Sequence, residues 1–410
     1  MRGYWLVKAD SGGNVDAILA INSGSSTLKF AYFLGDAEGC DRLFDGCAEG
    51  IGSDRGRLVV RDGMGRECEV SERMFSTQSA AFEQVASRIA ALSPELRVSG
   101  VGHRVVHGGR ELTSHQRVTT KVIDTLQRDV HFAPLHMPAS LELIRATERL
   151  YDGVPQFVCF DTAFHQTMPE AAYRYALPGR YAREGVRRYG FHGLSYESIV
   201  RRLGIELRKS AVIAHLGSGS SITAVRDGCS IDTSMGLTPT GGISMGSRPG
   251  DLDPGVLLFL IRDDGLDVDS LEQMLNHECG LRALAGTGDM RQIERRAAAG
   301  DADATLAVAI YCRSIAKTIA GYAAVMGGLE QLIFSGGIGE HSARVREEVC
   351  AHLAWMGIEL DAEKNGKDAS TISDKASWCE VRIVPSREEE QIAVHVRAML
   401  QRELCEMSVA

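Results

Sequence analysis

The stretch Ala17–Phe30, AILAINSGSSTLKF, decides how the chain is read. Ala17 to Ile21 is a short apolar run of strand-forming residues and predicts a buried strand. It breaks into Asn22-Ser23-Gly24-Ser25-Ser26-Thr27, all small and polar, and a second apolar run covers 30–34 after Lys29. The pattern is strand, tight turn, strand. A turn of Gly and hydroxyl residues offers backbone N–H groups and side-chain donors with little bulk, which suits a phosphate. Lys29 adds a point charge for a terminal phosphate, and Asn22 presents a neutral oxygen for a metal or a water. An ordinary hairpin with a polar turn fits the same residues.

The arrangement returns twice, at 210–221 (SAVIAHLGSGSS) and at 331–340 (QLIFSGGIGE). The first two stretches continue into another strand, whereas a helical pattern over 344–353 follows the third. This recurrence predicts an α/β protein of duplicated architecture, two related halves each donating a turn to a shared cleft. Ligands of such folds collect at the carboxyl ends of strands, where these turns lie. None of the turns is a Walker A loop, and Gly337-Ile338-Gly339 has Ser342 where a dinucleotide fingerprint needs its third Gly.

Elsewhere the pattern predicts a loose extension over 1–16, a β-meander over 41–72, a helix over 76–92, and a strand over 98–109 ending in a Gly pair. A helix, a Pro-bearing loop and another helix fill 121–150, and a buried strand covers Gln156–Phe160. The long Ala-rich stretch Ala302–Met326 reads as a core or interface helix closed by Gly327-Gly328. A chain of 410 residues holds roughly two domains. Its net charge of −9 argues against a nucleic-acid binder, since no basic stripe follows a duplex. The ten cysteines form no CxxC pair and read as reduced core thiols of a cytosolic protein. The N-terminus lacks a signal peptide's apolar segment, and Arg313 and Lys317 interrupt the longest apolar helix, so no membrane span is expected.

Chemistry gathers at strand ends. Gly102-His103-Arg104-Val105-Val106-His107-Gly108-Gly109 places an Arg inside a β-like run, where a guanidinium is costly unless it meets an anion. His103 and His107 at i, i+4 would share a face on a helix, but this run reads as strand, which speaks against a zinc pair. The loop 235–254, MGLTPTGGISMGSRPGDLDP, is dense in Gly, Pro and Ser and carries one basic residue, Arg248. Arg104 and Arg248 suit a bidentate grip on a carboxylate or a phosphoryl group, or else surface ion pairs. Asp161 directly follows a buried strand, where α/β enzymes place catalytic carboxylates. His136 lies in a Pro-flanked loop and His192 in Tyr189-Gly190-Phe191-His192-Gly193; neither is compelling alone. Glu388, Glu389 and Glu390 read as an acidic helix start, or one of them as a Mg²⁺ ligand.

Asn22–Lys29 together with Gly102–Gly109 resembles the two signature motifs of the acetate kinase family. APLH, FDTAFH, RYGFHG, HLGSGSS, MGSRPGDLDP, GDMR, GGIGE and PSREEE follow in order, so the resemblance spans about residues 17 to 400. It implies the actin-like, ribonuclease H-like fold, two βββαβαβα domains around a nucleotide cleft. Residues 17–163 would form the first domain, with the helix 387–404 returning to it. Residues 164–386 would form the second, nucleotide-binding and dimerising domain, and a homodimer is implied.

The implied reaction is phosphoryl transfer from ATP to acetate with Mg²⁺ or Mn²⁺, giving ADP and acetyl phosphate by direct in-line transfer. By position, Arg104 and Arg248 would hold the carboxylate and the transferring group, His136 and His192 would donate to that group, and Asp161 would be the acidic catalytic residue. Asn22 and Glu388 would place the metal, with Lys29 near the phosphates. Val106, Leu135, Phe191 and Pro239 match the methyl pocket. His215, Gly217, Ser218, Gly219 and Ser220 would contact the phosphates, and Asp289, Met290, Arg291, Gly336, Gly337, Ile338, Gly339 and Glu340 the adenosine side. The chain departs from the family pattern at Thr27, at Ser218 where Asn is usual, at Pro249 where Ser is usual, and at Thr240-Gly241-Gly242. These bear on fine substrate and donor preference. Propionate or butyrate is the nearest alternative acceptor, and a non-catalytic nucleotide-binding protein is the alternative of another class. A sugar kinase would want a polar pocket where this chain offers Val106, Leu135 and Phe191. Coupling to a phosphate acyltransferase is the implied metabolic link.

Overall fold

The computed structural model describes residues 14–24, 26–35, 41–134 and 136–409. Ser25, Leu135 and most of the expected 1–16 extension therefore lie outside the described residues. The chain divides into two compact units: one runs to Ala163 and resumes at Arg387, and the other is Phe164–Ser386.

The first unit holds β1 (Val15–Ser23), β2 (Thr27–Leu34), β3 (Arg42–Glu49), β4 (Gly56–Asp62), β5 (Glu67–Arg73), β6 (Leu96–Val105), β7 (Gln116–Arg117) and β8 (Gln156–Phe160). They form one sheet in the order β5-β4-β3-β2-β1-β6-β8-β7. The second unit holds β9 (Ser210–Leu216), β10 (Ser220–Arg226), β11 (Cys229–Thr233), β12 (Gln331–Ser335) and β13 (Glu380–Ile383), in the order β11-β10-β9-β12-β13. In each sheet three sequential antiparallel strands are followed by two strands parallel to the first. The central β3-β2-β1-β6-β8 of the first sheet thus repeats β11-β10-β9-β12-β13. The duplication expected from the recurring strand-and-turn pattern is a duplicated sheet.

Strand alternation decides what reaches each site. On β1, Ala17, Leu19 and Ile21 pack into a core with Phe82, Val85 and Ile89 of the helix Gln78–Leu92. The alternate row Ile18, Ala20, Asn22 faces the other way. There the terminal helix Glu388–Val409 packs on β1 and β6. Gly100 and Gly102 of β6, beside Ile18 and Ala20 in register, leave room for its Leu400, Val396 and Ile392. Asn22 and Arg104 end these two rows, beside the helix's acidic N-terminus. The second sheet repeats the device. Ala211 and Ile213 of β9 pack on Tyr196, Ile199 and Leu203 of the helix Gly193–Leu203, and His215 ends that row. The helix Ala302–Met326 covers the opposite face through Ala307, Tyr311, Ile315 and Ile319, packed with Val212, Ala214 and Leu216. Asp301 caps this helix by accepting from the Ala304 N–H, and Gly327 ends it at φ 71°.

Four expectations need correction. β1 begins at Val15, so Val15 and Asp16 of the supposed extension already pair with Leu96 and Arg97. The terminal helix runs to Val409 rather than 404. The stretch after β12 is no turn: Gly336–His341 is itself helical, entered through Gly336 at φ 75°. Burial holds for only four of the nine described cysteines, Cys159, Cys312, Cys350 and Cys379; Cys68, Cys229 and Cys405 are exposed. All nine are free thiols. Among the described residues no helix is long and apolar enough to cross a membrane.

Candidate active site

In the first unit the site grows from Arg104. Its guanidinium grips Asp161 through Nε at 3.0 Å to Oδ1 and Nη2 at 2.6 Å to Oδ2, and donates through Nη1 to Asn22 Oδ1 at 2.9 Å. Asp161 is 1% exposed, and such a carboxylate is tolerated inside because the planar fork satisfies both of its oxygens. Burial alone would pull the Arg104 pKa down; the carboxylate of Asp161, then Glu388 and Glu389, outweigh it and hold the pKa above its ordinary value. Asn22 donates to Glu388 Oε2 at 2.8 Å and to Glu389 Oε1 at 2.9 Å. The amide oxygen expected to face a metal accepts from Arg104 instead, and the oxygens that converge beside Asn22 belong to the two glutamates. Glu389 is the member that sequence reasoning underrated, because a run of three glutamates does not reveal which carboxylates turn inward.

Lys29 is opposite Asn22 in register on β2 and exposed. Cys47, opposite Lys29 on β3, is pushed up to about 11 chiefly by burial, then by Glu49. The turn after β1 is fastened by the Gly24 N–H to Thr27 O at 2.8 Å and by Gln78 Nε2 to Gly24 O at 2.9 Å. Val106 is buried just past β6. His136 is half-buried at the start of the helix Met137–Leu150. The two histidines flanking Arg104 are structural. His103 bonds Gln156 at 2.6 Å, and burial lowers it to about 4. His107 accepts from the Gly109 N–H at 2.8 Å and stacks on Phe132; burial, then His131, lowers it to about 3.

In the second unit the site grows from the end of β9. Ser220 staples the Gly-rich turn: its Oγ accepts from the Gly217 N–H at 3.1 Å, donates to Gly217 O at 3.0 Å and meets the Tyr311 hydroxyl at 3.1 Å. Its hydroxyl is thus turned into the fold, leaving Gly217, exposed Ser218 and Gly219 to face outward. A Cβ on Gly219 would stand 3.4 Å from His192 Nε2 and 3.6 Å from Arg248 Nη1, so imidazole and guanidinium converge on one small volume above the turn. Arg248 donates to Pro239 O at 2.8 Å. Its loop is held to the turn by the Gly246 N–H on Ser218 O at 3.2 Å. The rings of His192 and His215 stack with centroids 4.4 Å apart. Phe191 is buried, its carbonyl accepting from His165 Nε2 at 3.0 Å.

On the proposed adenosine side, Asp289 caps the helix Met290–Ala298 and pairs with Arg291 at 3.1 Å. Asp289 and Arg291 line an open cavity with Glu294, Arg295, Ala298 and Arg344. The Met290 side chain is in the core, so it faces inward and not toward a nucleotide; Ile338 packs against the same core. Glu340 Oε1 accepts from the Gly336 N–H at 3.0 Å, and Gly337 stands over open space. The fully buried Arg346 donates to the Gly339 and Glu340 carbonyls at 3.0 and 2.9 Å, closing the end of this helix.

Two actin-like units, one with a half-buried arginine beside paired glutamates and one with a histidine and an arginine over a glycine turn, define an α/β ATPase-type kinase. The comparisons narrow the class. The acetokinase family model matches residues 17–394. Acetate kinases of Coprothermobacter proteolyticus and Carboxydothermus hydrogenoformans are 43% and 40% identical, each over 92% of this chain and 97% of their own length. Among solved structures, a propionate kinase from Francisella tularensis superposes with a TM-score of 0.87 at 34% identity, and the Porphyromonas gingivalis acetate kinase with 0.83 at 36%. Each alignment covers 94% of this chain and 100% of the other. The chain belongs to the acetokinase family, and so to the phosphotransferases that take a carboxyl group as acceptor.

Proposed function

We propose that the protein transfers the γ-phosphoryl group of ATP reversibly to acetate, giving acetyl phosphate and ADP by direct in-line attack. The observation that carries this reading is the Arg104 network: a half-buried cation oriented by the buried Asp161, at the carboxyl end of the central strands. Acetate is ionised at pH 7, so its oxygen attacks without a general base, and the enzyme's work is positioning and charge neutralisation. Arg104 holds the carboxylate, with Val106, Phe191 and Pro239 against the methyl group. His192 Nε2 and Arg248 bind the transferring group, and His136 donates to it. Ser218 and Gly219 offer main-chain N–H groups to the phosphates, and Gly217, whose own N–H is taken by Ser220 Oγ, shapes the turn.

The donors beside Asn22 are all oxygen, and two are carboxylates, which fits a hard divalent cation such as Mg²⁺ or Mn²⁺. Glu388 and Glu389 would hold it, with Asn22 fixing both carboxylates through its amide nitrogen. When bound, the metal supplies charge neutralisation at the phosphate oxygens.

Helix Pro254–Arg262 buries none of its residues although it carries Val256, Leu258, Phe259 and Ile261, which supports a homodimer through this face. Nine free thiols support a reducing cytoplasm, and a phosphate acyltransferase is the reaction class that would consume the acyl phosphate.

The test is acyl phosphate trapped as hydroxamate with ATP and Mg²⁺, offering acetate, propionate and butyrate in parallel. Acetate-led turnover lost in Asp161→Asn supports the reading. Propionate-led turnover favours the second acceptor, the activity named for the Francisella relative; an apolar pocket separates the two by only about 1–3 kcal/mol. No product from any acid, with ATP still bound, overturns it.

A further inference from the structure

We propose that Tyr196 and Ser221 form a hydroxyl relay that holds His192 in the tautomer carrying its proton on Nε2. Both are then positioning residues, and their effect on turnover rests on the reading that His192 meets the transferring phosphoryl group.

Three polar groups stand in line. The Tyr196 hydroxyl meets Ser221 Oγ in a short hydrogen bond, and Ser221 Oγ is 2.8 Å from His192 Nδ1. Tyr196 and Ser221 are both fully buried. A serine hydroxyl has one proton, so between these two neighbours it donates to one and accepts from the other. The relative donor strengths of the two hydroxyls favour one direction. A phenol is the more acidic hydroxyl and the better donor, and its oxygen, conjugated with the ring, is the poorer acceptor. Tyr196 therefore donates to Ser221, Ser221 donates to Nδ1, and the imidazole proton is left on Nε2.

Nε2 is the atom that faces the glycine turn, sharing with Arg248 Nη1 the space that a side chain at Gly219 would fill. A proton there makes Nε2 a second donor beside the guanidinium, suited to phosphoryl oxygens. A lone pair there would repel them. The frame is rigid. His192 precedes the helix Gly193–Leu203 in the left-handed region, at φ 57°, a conformation that non-glycine residues adopt at a cost and keep where the surroundings demand it. Tyr196 is on the first turn of that helix and Ser221 on β10, so a helix and a strand fix the ring from one side. The neighbouring His215 has a serine of its own, Ser195 Oγ at 2.8 Å from Nδ1, supplied by the same helix turn.

The experiment reads the tautomer directly. Full-length protein with ¹⁵N-labelled histidine gives long-range proton–nitrogen spectra, with the His192 signals identified by their loss in His192→Gln. The expected wild-type pattern is a protonated Nε2 and a bare Nδ1. In Ser221→Ala the two nitrogen shifts move toward each other as the tautomers mix, and kcat falls about 10–100-fold, as when a ligand's outer partner is removed. Ser221→Thr, which keeps the hydroxyl, restores the pattern, and Tyr196→Phe moves the shifts the same way by less. A wild-type ring protonated on Nδ1, or wild-type shifts in both Ser221→Ala and Tyr196→Phe, overturns the relay. Mixed tautomers in Ser221→Ala with turnover unchanged support the relay and refute instead the contact between His192 and the phosphoryl group.

Discussion

Asn22 and Glu388, 366 residues apart, are joined by a hydrogen bond of 2.8 Å from the end of β1 to the first residue of the terminal helix. The same amide nitrogen serves Glu389 at 2.9 Å. Without it two carboxylates face each other across a lost bridge. Asn22→Ala is expected to raise the Mg²⁺ concentration for half-maximal activity at least about tenfold. It should also shrink the rise in melting temperature that Mg²⁺ gives the wild type, since a ligand stabilises in proportion to its affinity for the fold. A Mg²⁺ titration read by turnover and by melting checks both. An unchanged titration would remove Asn22 from the metal site.

Arg104 and Asp161 form the tightest ion pair of the first unit's site, 2.6 Å between Nη2 and Oδ2. Removing one partner of such a pair strands the other, at a typical cost of about 3–5 kcal/mol. Asp161→Ala is therefore expected to destabilise by that order. Asp161→Asn keeps the shape and one acceptor, and should lose far less stability while lowering turnover by roughly two orders of magnitude or more, because Arg104 loses its orientation. Urea unfolding beside steady-state kinetics separates the two. Equal losses of stability in both variants would make the carboxylate structural only.

Much of this site was legible in the sequence because its residues are local in the chain or end a strand. Asn22, Arg104 and His215 each end one face of an apolar strand and Asp161 directly follows one, so period-two alternation and strand ends place them. What stayed hidden depends on pairing across long separations. No local pattern says that Asn22 meets Glu389, that Gly102 is Gly because Ile392 lies over it, or that Ser221 and not Ser220 reaches His192. The two serines are adjacent in a strand, so their side chains point to opposite faces, and the choice follows from which helix covers which face. The stretch GGIGE misled for a simpler reason. Glycine signals a turn in sequence, yet Gly336 only admits the left-handed step into a short helix, whose end Arg346 holds from ten residues on.

Acid should weaken the fold before most carboxylates titrate. Burial lowers His103 and His165 to about 4, against an unfolded value near 6.5. The unfolded chain then binds more protons than the fold, so stability is intact above about pH 6.5 and declines as pH falls toward 4. The urea midpoint should drop through this window. His165→Gln should flatten the slope by about one proton, about 1.4 kcal/mol per pH unit. An unaltered slope would mean that His165 is charged in the fold or that its surroundings reorganise on protonation.

Gly102 decides how closely the terminal helix approaches β6. A Cβ there would stand 2.3 Å from Ile392 Cγ2 and 2.6 Å from Val396 Cγ2, two branched side chains with little freedom to turn away. Gly102→Ala must lift the helix, and overpacking of this kind costs about 1–3 kcal/mol. That alone would lower the melting temperature by several degrees. The functional expectation is sharper, because the same helix begins with Glu388 and Glu389. Lifting it draws both carboxylates from Asn22, so the Mg²⁺ requirement should rise with the loss of stability. Gly321→Ala is the control: it is a helical glycine with nothing within 4 Å of a new Cβ, and alanine there should be neutral or stabilising. If Gly102→Ala melts early yet keeps the wild-type Mg²⁺ titration, the helix is an anchor for the sheet and its first turn finds the metal independently of how the rest is packed.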